Sequence, residues 1–291
     1  MTSTKNPIIP CELRSETKDR IAAYAEALIQ TAPSIGDHGL SEQDFWDSGL
    51  FRSAIERLRG TQAAFTADKR RFMESILDFL AQKGEIERWT FAGNEERHDY
   101  EIVLPGGWLS VVETKGCLDG NNTNIFERPP HADEFVIWSL CQNPGSDPRH
   151  NAWSGIHTRL SAEEIHRGQK IDGVVIWDLI CGTVGRPCPK LANPERATLL
   201  PNGRAVPPPC FYLFPRSIPN PRNNPNPAVW KLEEVRLLHT LWKNFQGLAQ
   251  DIVQVQIETR MEGADVQRRT RFFRLGEEFS TSGWTAIRRA R

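Results

Sequence analysis

Three residues close together in the chain carry side chains able to hold a metal and handle a proton: Asp99, Glu113 and Lys115. They lie in the run His98-Asp99-Tyr-Glu-Ile-Val-Leu-Pro-Gly-Gly-Trp-Leu-Ser-Val-Val-Glu113-Thr-Lys115. Apolar residues on either side of Pro105-Gly106-Gly107 read as two strands joined by a turn. A three-residue connection there pairs Leu104 with Trp108. Counting outwards then sets Asp99 opposite Glu113, with their Cβ atoms about 4.5–5.5 Å apart. Side chains alternate along a strand, so Lys115 shares the face of Glu113. Two adjacent carboxylates repel, and a cation relieves that repulsion. Magnesium suits such a pair, because it takes one or two carboxylates and fills its shell with water and phosphate oxygens. The lysine would orient or help deprotonate the attacking water, while the metal would stabilise charge on the phosphate. Register decides all of this. A two-residue turn would shift the pairing by one and send the carboxylates to opposite faces.

The elements that must position this hairpin can be read on both sides of it. Helix formers fill residues 17–31, a second helix opens near Ser41, and a third carries Leu50, Ile55 and Leu58 over 50–59. From Thr66, an N-cap, a stripe of Phe72, Met73, Ile76, Leu77, Phe79 and Leu80 runs to a stop at Gly84. A short strand follows at Ile86–Phe91, then a polar turn over 92–97 and the two strands of the hairpin. Beyond a polar loop at 117–130, residues 131–141 fit either helix or strand. After a second loop at 142–158, Ser161-Ala-Glu-Glu is a capping box. Residues 171–181 then form an apolar, β-branched run of the kind found in a strand covered on both faces. The Pro- and Asn-rich stretch 185–228 reads as an irregular surface excursion, 228–248 as one long helix, and the end as a hairpin of 251–261 with 266–275.

With these elements in place, the motif resembles the signature of the PD-(D/E)xK nuclease superfamily: Asp99, thirteen residues, then Glu113-Thr-Lys115. The order helix–strand–strand–strand–helix–strand over about residues 66–182 is similar to that family's common core. His98 stands where the nominal proline would be. The resemblance implies an α/β (α+β mixed) fold with a restriction-endonuclease-like core, a central mixed sheet flanked by helices. It implies that Asp99 and Glu113 hold Mg2+ and that Lys115 assists the nucleophile. Some members add a carboxylate from the first helix, for which Glu74 is the candidate ligand and Asp78 its alternative, although the helical wheel turns both away from the apolar stripe. Glu101, on the face of Asp99, is either a further ligand or a solvated strand residue.

DNA contacts are expected from two places. Asn121, Asn122, Asn124 and Arg128 follow the catalytic strand, and asparagine and arginine suit base edges and phosphates. The C-terminal hairpin is the most basic part of the chain; alternation groups Arg269 with Arg271 on one face and Arg268 with Arg274 on the other. A solvated polar loop and a solvated strand face are the bland alternatives. Six scattered cysteines without a CxxC pair read as reduced thiols, with Cys181 and Cys188 too poorly spaced for a zinc knuckle. The histidines show no ligand pattern.

Net charge is -1, so any DNA binding must rest on local basic surface and on metal. No secretion signal or membrane-spanning run is visible, which reads as a cytoplasmic protein of a bacterial or archaeal host. Three segments are expected: a helical arm at 1–65, the nuclease core at 66–182, and 183–291 packed on that core. The expected function is a type II restriction-like endonuclease cutting double-stranded DNA at a specific sequence. It would act as a homodimer, alongside a cognate DNA methyltransferase acting on the same site. The alternatives are a structure-specific or repair nuclease on the same core and an inactive DNA-binding module.

Overall fold

The computed structural model describes residues 15–51, 53–55, 66–93, 98–115, 128–141, 164–165, 168–178, 197–203, 205–206 and 208–287. It is a mixed α/β architecture in which one large sheet carries nearly all the strands. The N-terminal part holds α1 (Ser15–Thr31), α2 (Glu42–Asp47) and helical residues at 50–51 and 53–55. Ser41 caps α2 as expected, its side chain accepting from the Asp44 amide at 3.2 Å. Next comes α3 (Thr66–Gln82), closed by Gly84 at φ +71°.

The sheet begins with three antiparallel strands, β1 (Arg88–Phe91), β2 (Tyr100–Leu104) and β3 (Trp108–Lys115). Leu104 pairs with Trp108 across the Pro105–Gly107 turn, where Gly106 and Gly107 both take positive φ. β4 (Glu134–Cys141) lies parallel to β3, and β5 (Gly173–Asp178) parallel to β4. The ambiguous segment before Cys141 is therefore a strand. Its Phe-Val-Ile-Trp run is buried throughout, which suits a strand covered on both faces.

Beyond β5 the expectation of an irregular excursion fails. The short pair β6 (Thr198–Leu199) and β7 (Ala205–Val206) stands apart, but β8 (Cys210–Leu213) is a sheet strand between β5 and β9 (Ile252–Glu262). Prolines on either side disguised it; Phe211, Tyr212 and Leu213 are buried regardless. The long helix also shrinks, to α4 (Arg236–Asn244) after a single 3-10 turn at Leu232–Glu234. Val235 between them is extended, and Gln246 takes a left-handed φ of 53° just past the end. The terminal hairpin is found where expected, β9 against β10 (Asp265–Arg274), joined by Gly263-Ala264. β11 (Glu277–Thr281) and β12 (Thr285–Ala286) add to β10.

Alternation divides the core into two layers. One is built by α3, α4 and the sheet face of Tyr100, Val112, Trp138 and Trp177. The other carries Val111, Ile137, Val174, Tyr212, Val255 and Ile257. Gly173 is where the sheet touches α4: a Cβ there would lie 2.4 Å from Leu238 Cδ1. Among the described residues, no helix is long and apolar enough to cross a membrane.

Candidate functional site

The expected register holds up to Tyr100↔Val112, the last pair of the ladder and the one next to Asp99. There the geometry changes. The Asp99 amide donates to Val112 O at 3.0 Å, so Asp99 and Tyr100 both address Val112. Two residues set against one is the pattern of a β-bulge. The direct opposition of Asp99 and Glu113 that simple counting requires is thereby replaced. The Asp99 carboxylate reaches Thr114 instead, its Oδ2 accepting from the amide at 2.6 Å and from Oγ1 at 2.7 Å. β2 has ended at this level and offers Thr114 no carbonyl, so the carboxylate supplies the missing acceptor. Both bonds fall on Oδ2. Oδ1 takes no part in these two bonds.

Glu113 sits one residue before Thr114 and is only 3 % exposed. It is in register with Ile137 and alternates onto the face of Val111, whereas Thr114 is in register with Trp138 on the helical side. Asp99 and Glu113 thus both stand at the open end of one hairpin, Asp99 anchored towards the helical layer and Glu113 on the face of Val111. Lys115 is the last residue of β3, in register with Ser139 and two residues beyond Glu113.

Glu74 of α3 is half-buried, although the helical wheel turned it outwards. It approaches Tyr100: burial pushes that phenol up, and the nearby Glu74 and Asp99 carboxylates push it further while Arg70 opposes them. Arg70 itself lies 4.0 Å from the centre of the Phe91 ring. Glu74, Tyr100 and Asp99 therefore form one neighbourhood. Asp78 does not join it and instead accepts from Trp89 Nε1 at 3.1 Å.

The bulge has a second effect that sequence counting missed. His98 is buried at 4 % exposure and comes to the side of Glu101, its Nε2 3.3 Å from Glu101 Oε1. His131 Nε2 lies 3.3 Å from the same oxygen. Glu101 therefore lies between two imidazoles, hydrogen-bonded to His131 and only close to His98, and is not a bare solvated strand residue. Among the described residues, no three His, Cys, Asp or Glu side chains form a ready-made metal cage.

Of the expected DNA contacts, Asn121, Asn122 and Asn124 lie outside the described residues. Arg128 is spent internally: Nε donates to Ala132 O at 2.8 Å, Nη2 to Ala132 O and Asp133 O, and Nη1 to Asp172 at 3.3 Å. Asp172 also takes the Phe135 amide at 2.8 Å and Trp230 Nε1 at 3.1 Å. Arg128 is one strut of a buried hub and is not free to reach DNA through these donors. Arg269 and Arg271 share a face as expected, but both are neutralised there. Glu258 pairs with both, and Glu278 with Arg271. Comparison with known proteins adds nothing to this geometry, since no family model, no curated protein and no solved structure matches the chain.

Proposed function

We propose that this protein is a magnesium-dependent nuclease that hydrolyses phosphodiester bonds of double-stranded DNA, on a core of the restriction-endonuclease type. The observation that carries the reading is the split use of Asp99. One oxygen is locked by Thr114, which leaves the second out of those bonds at the end of a hairpin whose other strand carries the buried Glu113. Magnesium needs only one or two carboxylates, so the absence of a three-residue cage among the described residues is no obstacle. Asp99 Oδ1 and Glu113 would hold the ion, with Glu74 the nearest further carboxylate. When bound, it would stabilise charge on the scissile phosphate. Thr114 fixes the Asp99 side chain in a single orientation, which removes an entropic cost of binding. Lys115, by its place at the strand end, is the candidate to orient the attacking water. The order α3, β1, β2, β3 with β4 parallel to β3 supports the same core.

Site-specific cutting as a type II homodimer, with a methyltransferase on the same site, is the expected biological setting. The test is incubation of the protein with plasmid and with branched DNA, with and without magnesium, beside Glu113→Gln. Discrete fragments that need both magnesium and Glu113 support the reading. Cleavage confined to branched substrates moves it to a repair-type nuclease, and intact DNA across substrates and divalent metals refutes it.

A further inference from the structure

The sheet places one arginine where a charge is costly. Arg268 of β10 is 4 % exposed, and its Nε and Nη1 are buried without a hydrogen-bond partner. It forms no ion pair among the described residues. An arginine stays charged even when burial lowers its pKa, as here. A buried, unpaired guanidinium costs several kcal/mol, so a fold that keeps one calls for a counter-anion from elsewhere.

The charge pattern around it shows why no carboxylate among the described residues supplies that anion. Alternation puts Glu258, Glu262 and Asp265 on the other face of β9 and β10, where Glu258 serves Arg269 and Arg271. On the face of Arg268 the cross-strand partners are Thr259 and Thr285, neither of them acidic. The loop lying against Thr259, through bonds to Pro225 O, carries exposed Arg222, which has no acidic partner among the described residues. One face of the hairpin is self-neutralised and the other retains net positive charge with hydroxyl donors beside it.

We propose that Arg268 is a phosphate-binding residue, and that its physiological anion is a backbone phosphate of nucleic acid. The choice of nucleic acid rests on the nuclease reading above; the anion site itself does not. A phosphodiester carries one negative charge and accepts the two parallel bonds a guanidinium fork provides.

The experiment is fluorescence anisotropy of a labelled duplex oligonucleotide in EDTA, with wild type, Arg268→Met and Arg268→Lys. Loss of a charge-assisted contact predicts about ten- to a hundredfold weaker binding for Arg268→Met, and an intermediate value for Arg268→Lys. Thermal melts in inorganic phosphate complete it. Arg268→Met melts no lower than wild type, because it removes an unpaired buried charge, and phosphate raises the melting temperature of wild type only. Equal duplex affinity in wild type and Arg268→Met overturns the nucleic-acid assignment even where free phosphate still stabilises wild type. A large melting loss in Arg268→Met with no phosphate effect on either protein makes the guanidinium structural and overturns the site. Binding in EDTA needs neither magnesium nor the carboxylates. A protein that binds through Arg268 yet cuts nothing therefore defeats the nuclease reading alone.

Discussion

Asp99 is the residue at which structure and proposed chemistry can be separated by one atom. Replacing it with alanine removes the one oxygen that accepts both Thr114 bonds, from the amide at 2.6 Å and from the hydroxyl at 2.7 Å. Hydrogen bonds to a charged group contribute about 1.5–3 kcal/mol each, and the site is half-exposed, so the expected loss is about 2–4 kcal/mol. For a chain of this size that is a fall in melting temperature of about 3–7 °C. Asp99→Asn keeps a carbonyl oxygen in the same place and should melt within about 1 kcal/mol of wild type. It lacks the charge a magnesium ion needs, so cleavage should fall at least about a hundredfold, the scale of losing a principal electrostatic contributor. Differential scanning fluorimetry and a plasmid-cutting assay read the two effects on the same preparations. The asparagine variant retaining wild-type cutting would refute the metal role, and the alanine variant retaining wild-type stability would refute the account of Thr114.

Other sites give independent outcomes. Glu134, 2 % exposed, accepts from the Arg236 and Leu237 amides at 2.8 Å each, so Glu134→Ala should uncap α4 and cost about 2–4 kcal/mol by denaturant titration. Gly173→Ala drives a methyl into Leu238 and the Tyr212 carbonyl and should cost about 1–3 kcal/mol in the same measurement. Burial holds the Glu164 carboxyl well above its ordinary 4.5, with Asp172 adding to the shift. Its folded value exceeds its unfolded one, so its stabilising contribution is complete below the unfolded value and is lost as pH rises through the folded one. Glu164→Gln keeps an acceptor for the Ile171 amide, and its melting temperature relative to wild type should climb as pH rises above the ordinary carboxylate range. Arg128→Ala should lower stability and leave duplex affinity unchanged, because its guanidinium braces Ala132, Asp133 and Asp172.

Local signals carried the hairpins and failed where burial decides. Pro105-Gly106-Gly107 set the β2–β3 register because a turn leaves few alternatives, and Gly263-Ala264 did the same for β9–β10. β8 escaped because a strand of four residues between prolines has no period to read, and its place depends on partners in β5 and β9. The long helix escaped because Trp230 and Val235 look helical by type, while Glu234 closes a separate turn on the Lys231 amide at 2.8 Å. Arg269 and Arg271 were legible as a pair, but their neutralisation was not. That depends on Glu258 lying directly across the ladder from Arg269 and on β11 being present at all.

The bulge at Asp99 shows why residue type and spacing were not enough at the site itself. A carboxylate two strands deep in a sheet can be there to close a ladder or to bind a ligand, and composition is the same in both cases. The number of oxygens it has is what separates them. Oδ2 alone satisfies both Thr114 donors, so the structural demand uses half of the group. A residue needed only as a ladder cap could be asparagine, which offers the same oxygen without adding a second carboxylate beside Glu74 at Tyr100. Aspartate gives Thr114 a charged acceptor at the cost of repulsion from Glu74, and on the proposed reading a cation on the remaining oxygen would relieve that repulsion.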